Sequence, residues 1–146
     1  MEINVVPFKG EHIEGAARLE RQCFSAPWSA EQIAETVSNP CAVYFAAFCG
    51  GVFAGYAGMY AAGGEGSINN IAVDRDHRRS GVGTALLSAL ICAGREAGLA
   101  KLSLEVRVSN TAAVSLYEKN GFRRVGLRRG YYTAPKEDAV LLDKDL

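Results

Sequence analysis

Residues 74–91 read DRDHRRSGVGTALLSALI: paired arginines, then a Gly-x-Gly, then an apolar stripe. The stripe decides the element. Val82, Leu86, Leu87, Leu90, Ile91 and Gly94 recur at three- and four-residue spacing, which puts them on one helix face, and Gly98 stands where that helix would end. The preceding run GSINNIAV (66–73) reads as a strand, so the glycine turn leads from a strand into a helix. Such a turn is a good seat for pyrophosphate. Glycines let the backbone approach an anion, the unpaired N–H groups and dipole of a helix start favour negative charge, and arginines add charge-assisted bonds. A plain basic surface turn has the same composition, and this stretch alone leaves both open.

Two familiar phosphate motifs do not fit. A P-loop needs a lysine directly after its last glycine, and Thr84 follows Gly83 here. The dinucleotide fingerprint needs a third glycine where Leu86 stands. Its acidic partner about 20 residues on would be Glu105, which lies inside an alternating strand instead.

Around the turn, the chain alternates strands and helices. INVVPF (3–8) reads as an edge strand, where Pro7 is tolerated. Ile13, Ala16, Ala17 and Leu19 mark a first helix; Ser29 with Gln32 forms a capping box for a second, which stops before Pro40. Residues 41–64 carry no charge and are long enough to span a bilayer, yet Gly50-Gly51 divides them into two aromatic and β-branched runs. They are expected to be a buried hairpin. KLSLEVRV (101–108) alternates strictly, with Ser103, Glu105 and Arg107 opposite four apolar residues. SNTAAVSLYEKNGF (109–122) is a short helix, capped by Ser109 or Asn110 and ended by Gly121; FRRVGLRRGYY and EDAVLLDKDL close the chain as strands. The order β-α-α-β-β-β-α-β-α-β-β predicts one domain over residues 1–146, of α/β (α+β) class, with a mixed sheet of seven strands and helices on both faces.

Composition excludes several functions. Sixteen basic and sixteen acidic residues balance to zero, against broad binding to nucleic acid. Cys23, Cys41, Cys49 and Cys92 have neither zinc-ligand spacing nor a disulfide framework, so no metal is expected. The start MEINVVPFKGEH has no signal-peptide pattern. His12 and His77 are expected in exposed turns.

Arg78-x-x-Gly81-x-Gly83, preceded by NNIAVD and followed by LEVRVSNTAAVSLYEKNGF, resembles the GNAT acetyltransferases, whose signature is Q/R-x-x-G-x-G/A. The likeness runs along the whole chain. NIAVD, LEVR, RRGYY and APW point to the branch that acetylates the N-terminal alanine of a small-subunit ribosomal protein. The resemblance implies a GNAT fold with a mostly antiparallel sheet, and acetyl-CoA as cosubstrate. Its pyrophosphate would sit on Arg79, Ser80, Gly81, Val82, Gly83 and Thr84 beside Arg78, which stands where relatives often carry glutamine. Its pantetheine would pair with the backbone of Ile71, Ala72 and Val73, and Asn110 would contact it near the thiol. Glu105 would be the general base and Tyr117 the general acid; Trp28, Tyr131 and Tyr132 would bound the acceptor site. A cytoplasmic monomer is implied, with a ribosomal-protein N-terminus as acceptor and no nucleic-acid or membrane partner.

The residues support part of this unaided. Acetyl transfer to an amine needs a base for the amine, donors for the oxyanion and an acid for the departing thiolate. Glu105 suits the first, a backbone N–H near Val73 the second and Tyr117 the third; equally, Glu105 fits a surface partner of Arg107 and Tyr117 a core residue. An α-amine, with pKa about 7.7–8.0 against about 10.4 for lysine, is the easier acceptor for one carboxylate. Lysine or small-amine acetylation, and non-catalytic acyl-CoA binding, are the alternatives. Acids spread along the chain count against a pocket for cationic small amines.

Overall fold

The computed structural model describes residues 2–146. Seven strands and four helices follow the expected order: β1 (Ile3–Pro7), α1 (Ile13–Cys23), α2 (Ala30–Val37), β2 (Ala42–Cys49), β3 (Val52–Ala62), β4 (Glu65–Val73), α3 (Val82–Glu96), β5 (Lys101–Arg107), α4 (Thr111–Lys119), β6 (Arg123–Thr133) and β7 (Lys136–Asp145). The strands form one sheet in the order β1-β2-β3-β4-β5-β7-β6. Among the described residues, only the central β4–β5 pair is parallel.

The uncharged stretch is the β2–β3 hairpin. Gly50 and Gly51 both take positive φ (58° and 82°), as a two-residue turn between the paired Cys49 and Val52 requires. Residues 54–59 of β3 are all buried, because helices cover both faces of the sheet there. A strand covered twice has no solvent side, hence no polar alternation.

One face carries α1 and α2, whose Ala16, Ala17, Leu19 and Ile33 pack on Tyr44, Tyr56 and Ala72. The other carries α3 and α4, packed on Leu102, Leu104 and Val106 of β5. The buried residues of α3 are the six that the periodicity selects. His12 departs from expectation: it is buried, with its ring among Phe8, Phe48 and Phe53, and its Nδ1 accepts the Lys9 N–H at 2.9 Å. His77 is half-buried and lies 4.0 Å from Asp74.

The sheet is not continuous at its centre. β4 and β5 are paired only from Glu65–Ser67 to Lys101–Ser103. Opposite this, the β3–β4 register slips between Gly58 and Met59, so Asn69 is an extra residue on β4. A bulge bends its strand and strengthens its twist. Beyond it β4 and β5 diverge, leaving a wedge between their C-terminal halves.

Candidate active site

The wedge gives β4 an edge inside the sheet. Asp74 donates its N–H to Ala54 of β3 at 2.8 Å. Backbone groups alternate sides along a strand, so those of Val73 and Ile71 face the wedge and those of Ala72 face β3. Two of the three residues expected to pair with a cosubstrate thus present backbone groups to it. The Val73 carbonyl already accepts from Arg78 Nε (3.3 Å) and the Cys23 thiol (3.5 Å), which leaves its N–H as the group on offer.

At the mouth of the wedge, α3 begins. Arg79 and Gly81 take positive φ (63° and 92°), and Gly81 occupies the N-cap position with no side-chain cap. The first intrahelical bond runs from the Ala85 N–H to the Gly81 carbonyl, so Val82, Gly83 and Thr84 carry N–H groups without intrahelical partners. This donor set suits a pyrophosphate. Arg79, Ser80, Gly81 and Thr84 are exposed around it, and the Ser80 hydroxyl donates to the His77 carbonyl. Val82 is buried in the core, so only its backbone can serve. Arg78 stays exposed but lies along the turn: its guanidinium spans the Val73 carbonyl and Cys23 Sγ (3.4 Å) and braces the turn.

Glu105 and Tyr117 lie on opposite faces of the sheet. Leu104 and Val106 enter the core beneath α3 and α4, so Glu105 and Arg107 point to the α1–α2 face, where Glu105 is exposed. Tyr117 lies buried under α4, edge-on to Phe122 at 5.5 Å. Burial, reinforced by Tyr132, raises the Tyr117 hydroxyl well above the ordinary phenol range, so it stays protonated at any physiological pH. Burial and neighbouring Tyr131 push the Tyr132 hydroxyl up to about 12, against the pull of Arg107; Glu105 acts on it as well. Asn110 caps α4 through its side-chain oxygen, which accepts the Ala113 N–H at 3.2 Å.

The expected acceptor walls are tied together. Arg107 bonds the carbonyls of Pro135 (2.9 Å) and Ala134 (3.2 Å), Glu137 (3.2 Å) and Ser25 Oγ (3.4 Å), while its guanidinium lies 4.3 Å above the Tyr132 ring. Ser25 itself donates to the Ala134 carbonyl at 2.7 Å. The α1–α2 loop, which carries Trp28, is thereby clamped to the β6–β7 loop beside Tyr131 and Tyr132. Trp28 is half-buried against the α1–α2 core and lines an open cleft of about 370 Å³ with Glu35 and Tyr60. Tyr131 is exposed and edge-on to Tyr132 at 5.0 Å.

Sequence reasoning passed over Glu20 and Asn70. Glu20 is 1% exposed; its carboxylate accepts the Trp28 N–H (2.9 Å), the Tyr56 hydroxyl (2.5 Å) and the Asn70 side-chain amide (2.6 Å). Their signals were an acid on the apolar stripe of a helix, and two adjacent asparagines interrupting an apolar strand.

The Acetyltransferase (GNAT) family matches residues 13–122. The chain is 39% identical over 134 residues to the ribosomal protein bS18-alanine N-acetyltransferase of Escherichia coli K12, covering 89% of this chain and 88% of that protein. It is 37% identical over 135 residues to the N-alpha-acetyltransferase RimI of Mycobacterium tuberculosis, covering 88% and 84%. The crystal structure of the ribosomal-protein-S18-alanine N-acetyltransferase from Escherichia coli superposes with a TM-score of 0.90 at 34% identity, over 99% of this chain and 94% of that one.

Proposed function

The chain belongs to the GNAT family of acetyltransferases, and from that premise we propose that it transfers acetyl from acetyl-CoA to the N-terminal α-amine of a protein. The acceptor is a small-subunit ribosomal protein that begins with alanine. The observation that carries this is the wedge: an open strand edge running to an uncapped helix start, with Glu105 exposed on β5 beyond the last β4–β5 pair. Likeness to enzymes named for bS18 alanine supports the choice of acceptor.

Acetyl-CoA supplies the acetyl thioester. Val82, Gly83, Thr84 and the exposed Arg79 hold its pyrophosphate, and the backbone of Ile71 holds the pantetheine as an added strand, leaving the Val73 N–H for the acetyl oxygen. The free Nδ2 of Asn110 contacts the region near the sulfur. Glu105, directly or through water, takes a proton from the α-ammonium. The amine nitrogen then forms its bond to the acetyl carbon, and the Val73 N–H bonds the oxygen as its charge develops. The carbon–sulfur bond breaks as Tyr117 gives its proton to sulfur; the second proton shed by the nitrogen as it becomes an amide restores the Tyr117 phenol through water, and Glu105 releases its proton to solvent. No covalent enzyme intermediate is needed, because amine and thioester meet from opposite faces of one gap. Trp28, Tyr131 and Tyr132 wall the acceptor's entry. The enzyme acts as a cytoplasmic monomer.

The test is intact-mass analysis of two peptides incubated with protein and acetyl-CoA. One has a free N-terminal alanine and blocked lysines; the other has a blocked N-terminus and free lysines. Acetylation of the first alone, with about a hundredfold or greater loss in Glu105→Gln, is the expected result. Acetylation of the second alone refutes the N-terminal assignment.

A further inference from the structure

Asn70 sits on the β4 arm of the wedge, and the bulge fixes where its side chain goes. Successive side chains of a regular strand point to opposite faces. Here Asn69 and Asn70 both turn to the α1–α2 face: Asn69 donates to the Tyr44 hydroxyl at 2.9 Å, and Asn70 donates to Glu20 at 2.6 Å and to the Tyr56 hydroxyl at 3.4 Å. Glu105 points to that same face from the β5 arm.

The orientation of the Asn70 amide is forced. Glu20 accepts from a backbone N–H, a phenol and an amide, so every group that meets its oxygens is a donor. Burial, and then the Glu20 charge, raise the Tyr56 hydroxyl far above its ordinary range, so the phenol stays a donor to Glu20. The NH₂ of Asn70 must therefore face Glu20 and Tyr56, and both its hydrogens are used. Its Oδ1 is left buried with no hydrogen-bond partner. A buried acceptor without a donor is costly, and such atoms in native proteins call for an explanation.

Resting on the acetyl-transfer function above, we propose that Asn70 Oδ1 binds the acceptor amine, taking one of its N–H bonds and holding the nitrogen between the two arms of the wedge while Glu105 removes a proton. A carbonyl oxygen fits this task because it recognises donors, and an amine has them in both protonation states. Glu20 is then a positioning residue. It locks the Asn70 amide and, through the Trp28 N–H, holds the acceptor wall in the same network.

The experiment compares wild type with Asn70→Ala and Asn70→Ser, using the alanine-first peptide for turnover and calorimetry for acetyl-CoA. Loss of one hydrogen bond to a charged group predicts a rise in peptide KM, and a fall in kcat/KM, of about ten- to a hundredfold for Asn70→Ala. Acetyl-CoA affinity should stay within about twofold, and Asn70→Ser, which keeps an acceptor oxygen, should recover part of the loss. Peptide KM and kcat unchanged in Asn70→Ala overturn the proposal. A crystal of the wild-type protein with the peptide and CoA decides the matter without any mutant. An amine nitrogen within hydrogen-bond distance of Asn70 Oδ1 supports the assignment, and a peptide bound elsewhere refutes it. Should the wild type acetylate only the lysine peptide, the N-terminal assignment fails, and the same variants measured with that peptide still decide the role of Asn70.

Discussion

Gly58→Ala is expected to destabilise the fold by about 2 kcal/mol. A Cβ built on Gly58 would lie 2.1 Å from Cδ2 and Cε2 of Tyr44, where ordinary contact begins at 3.4 Å. The ring would have to retreat by about 1.3 Å, and it has nowhere to go. Tyr44 is 7% exposed, stacks on Tyr56 at 6.3 Å, meets Phe8 edge-on at the same separation, and is held at its hydroxyl by Asn69. Overpacking of this kind costs about 1–3 kcal/mol, and a pinned aromatic belongs at the upper end. Reduced unfolded-chain entropy returns about 0.4–1 kcal/mol, since Gly58 has no positive φ that alanine would resist. For a chain of this size the net loss lowers the melting temperature by about 6 °C. Thermal unfolding of Gly58→Ala, Tyr44→Leu and the double variant is the assay. Removing the ring should make the alanine nearly neutral, so the double variant should be more stable than additivity predicts. A Gly58→Ala protein within about 0.5 kcal/mol of wild type, or strictly additive effects, would refute the account of why glycine stands there.

Four further outcomes are expected. Arg107→Ala should raise the peptide KM on the order of tenfold by releasing the clamp between the two acceptor loops, with acetyl-CoA affinity unchanged in calorimetry. Because burial raises the Tyr117 hydroxyl, and an acid works only while protonated, kcat/KM should show no alkaline fall from a tyrosine below about pH 10; a fall that disappears in Tyr117→Phe would contradict the environment described. Gly81→Ala places a side-chain residue at φ 92°, a conformation costing about 1–2 kcal/mol, and should weaken acetyl-CoA binding about five- to tenfold through a distorted helix start. Asp74 is held below the ordinary carboxylate range chiefly by the Asp76 N–H and then by Arg18, so its stabilisation exists above the unfolded value and is lost as pH falls. The melting-temperature gap between wild type and Asp74→Asn, full at neutral pH, should therefore close below about pH 4.

The pattern of short-range spacing in the sequence was sufficient for the elements and their order. Apolar residues at helical spacing marked α3, strict alternation marked β5, Gly50-Gly51 marked the hairpin, and the Arg-rich glycine turn marked the start of a helix. These signals are local, since each follows from backbone geometry within a few residues. Tertiary structure alone decided what those elements do together. The alternating strand could not say that the sheet opens beside Glu105. That opening depended on β4 bulging at Asn69 and parting from β5, a consequence of pairing between strands. Likewise His12 entered an aromatic cluster, Arg78 bonded the Val73 carbonyl, and the Asn70 amide was fixed by a buried acid from 50 residues away. Spacing reports which face of its own element a residue occupies. Which groups meet across that face is set by packing between distant segments, and a single sequence does not encode that in any local pattern.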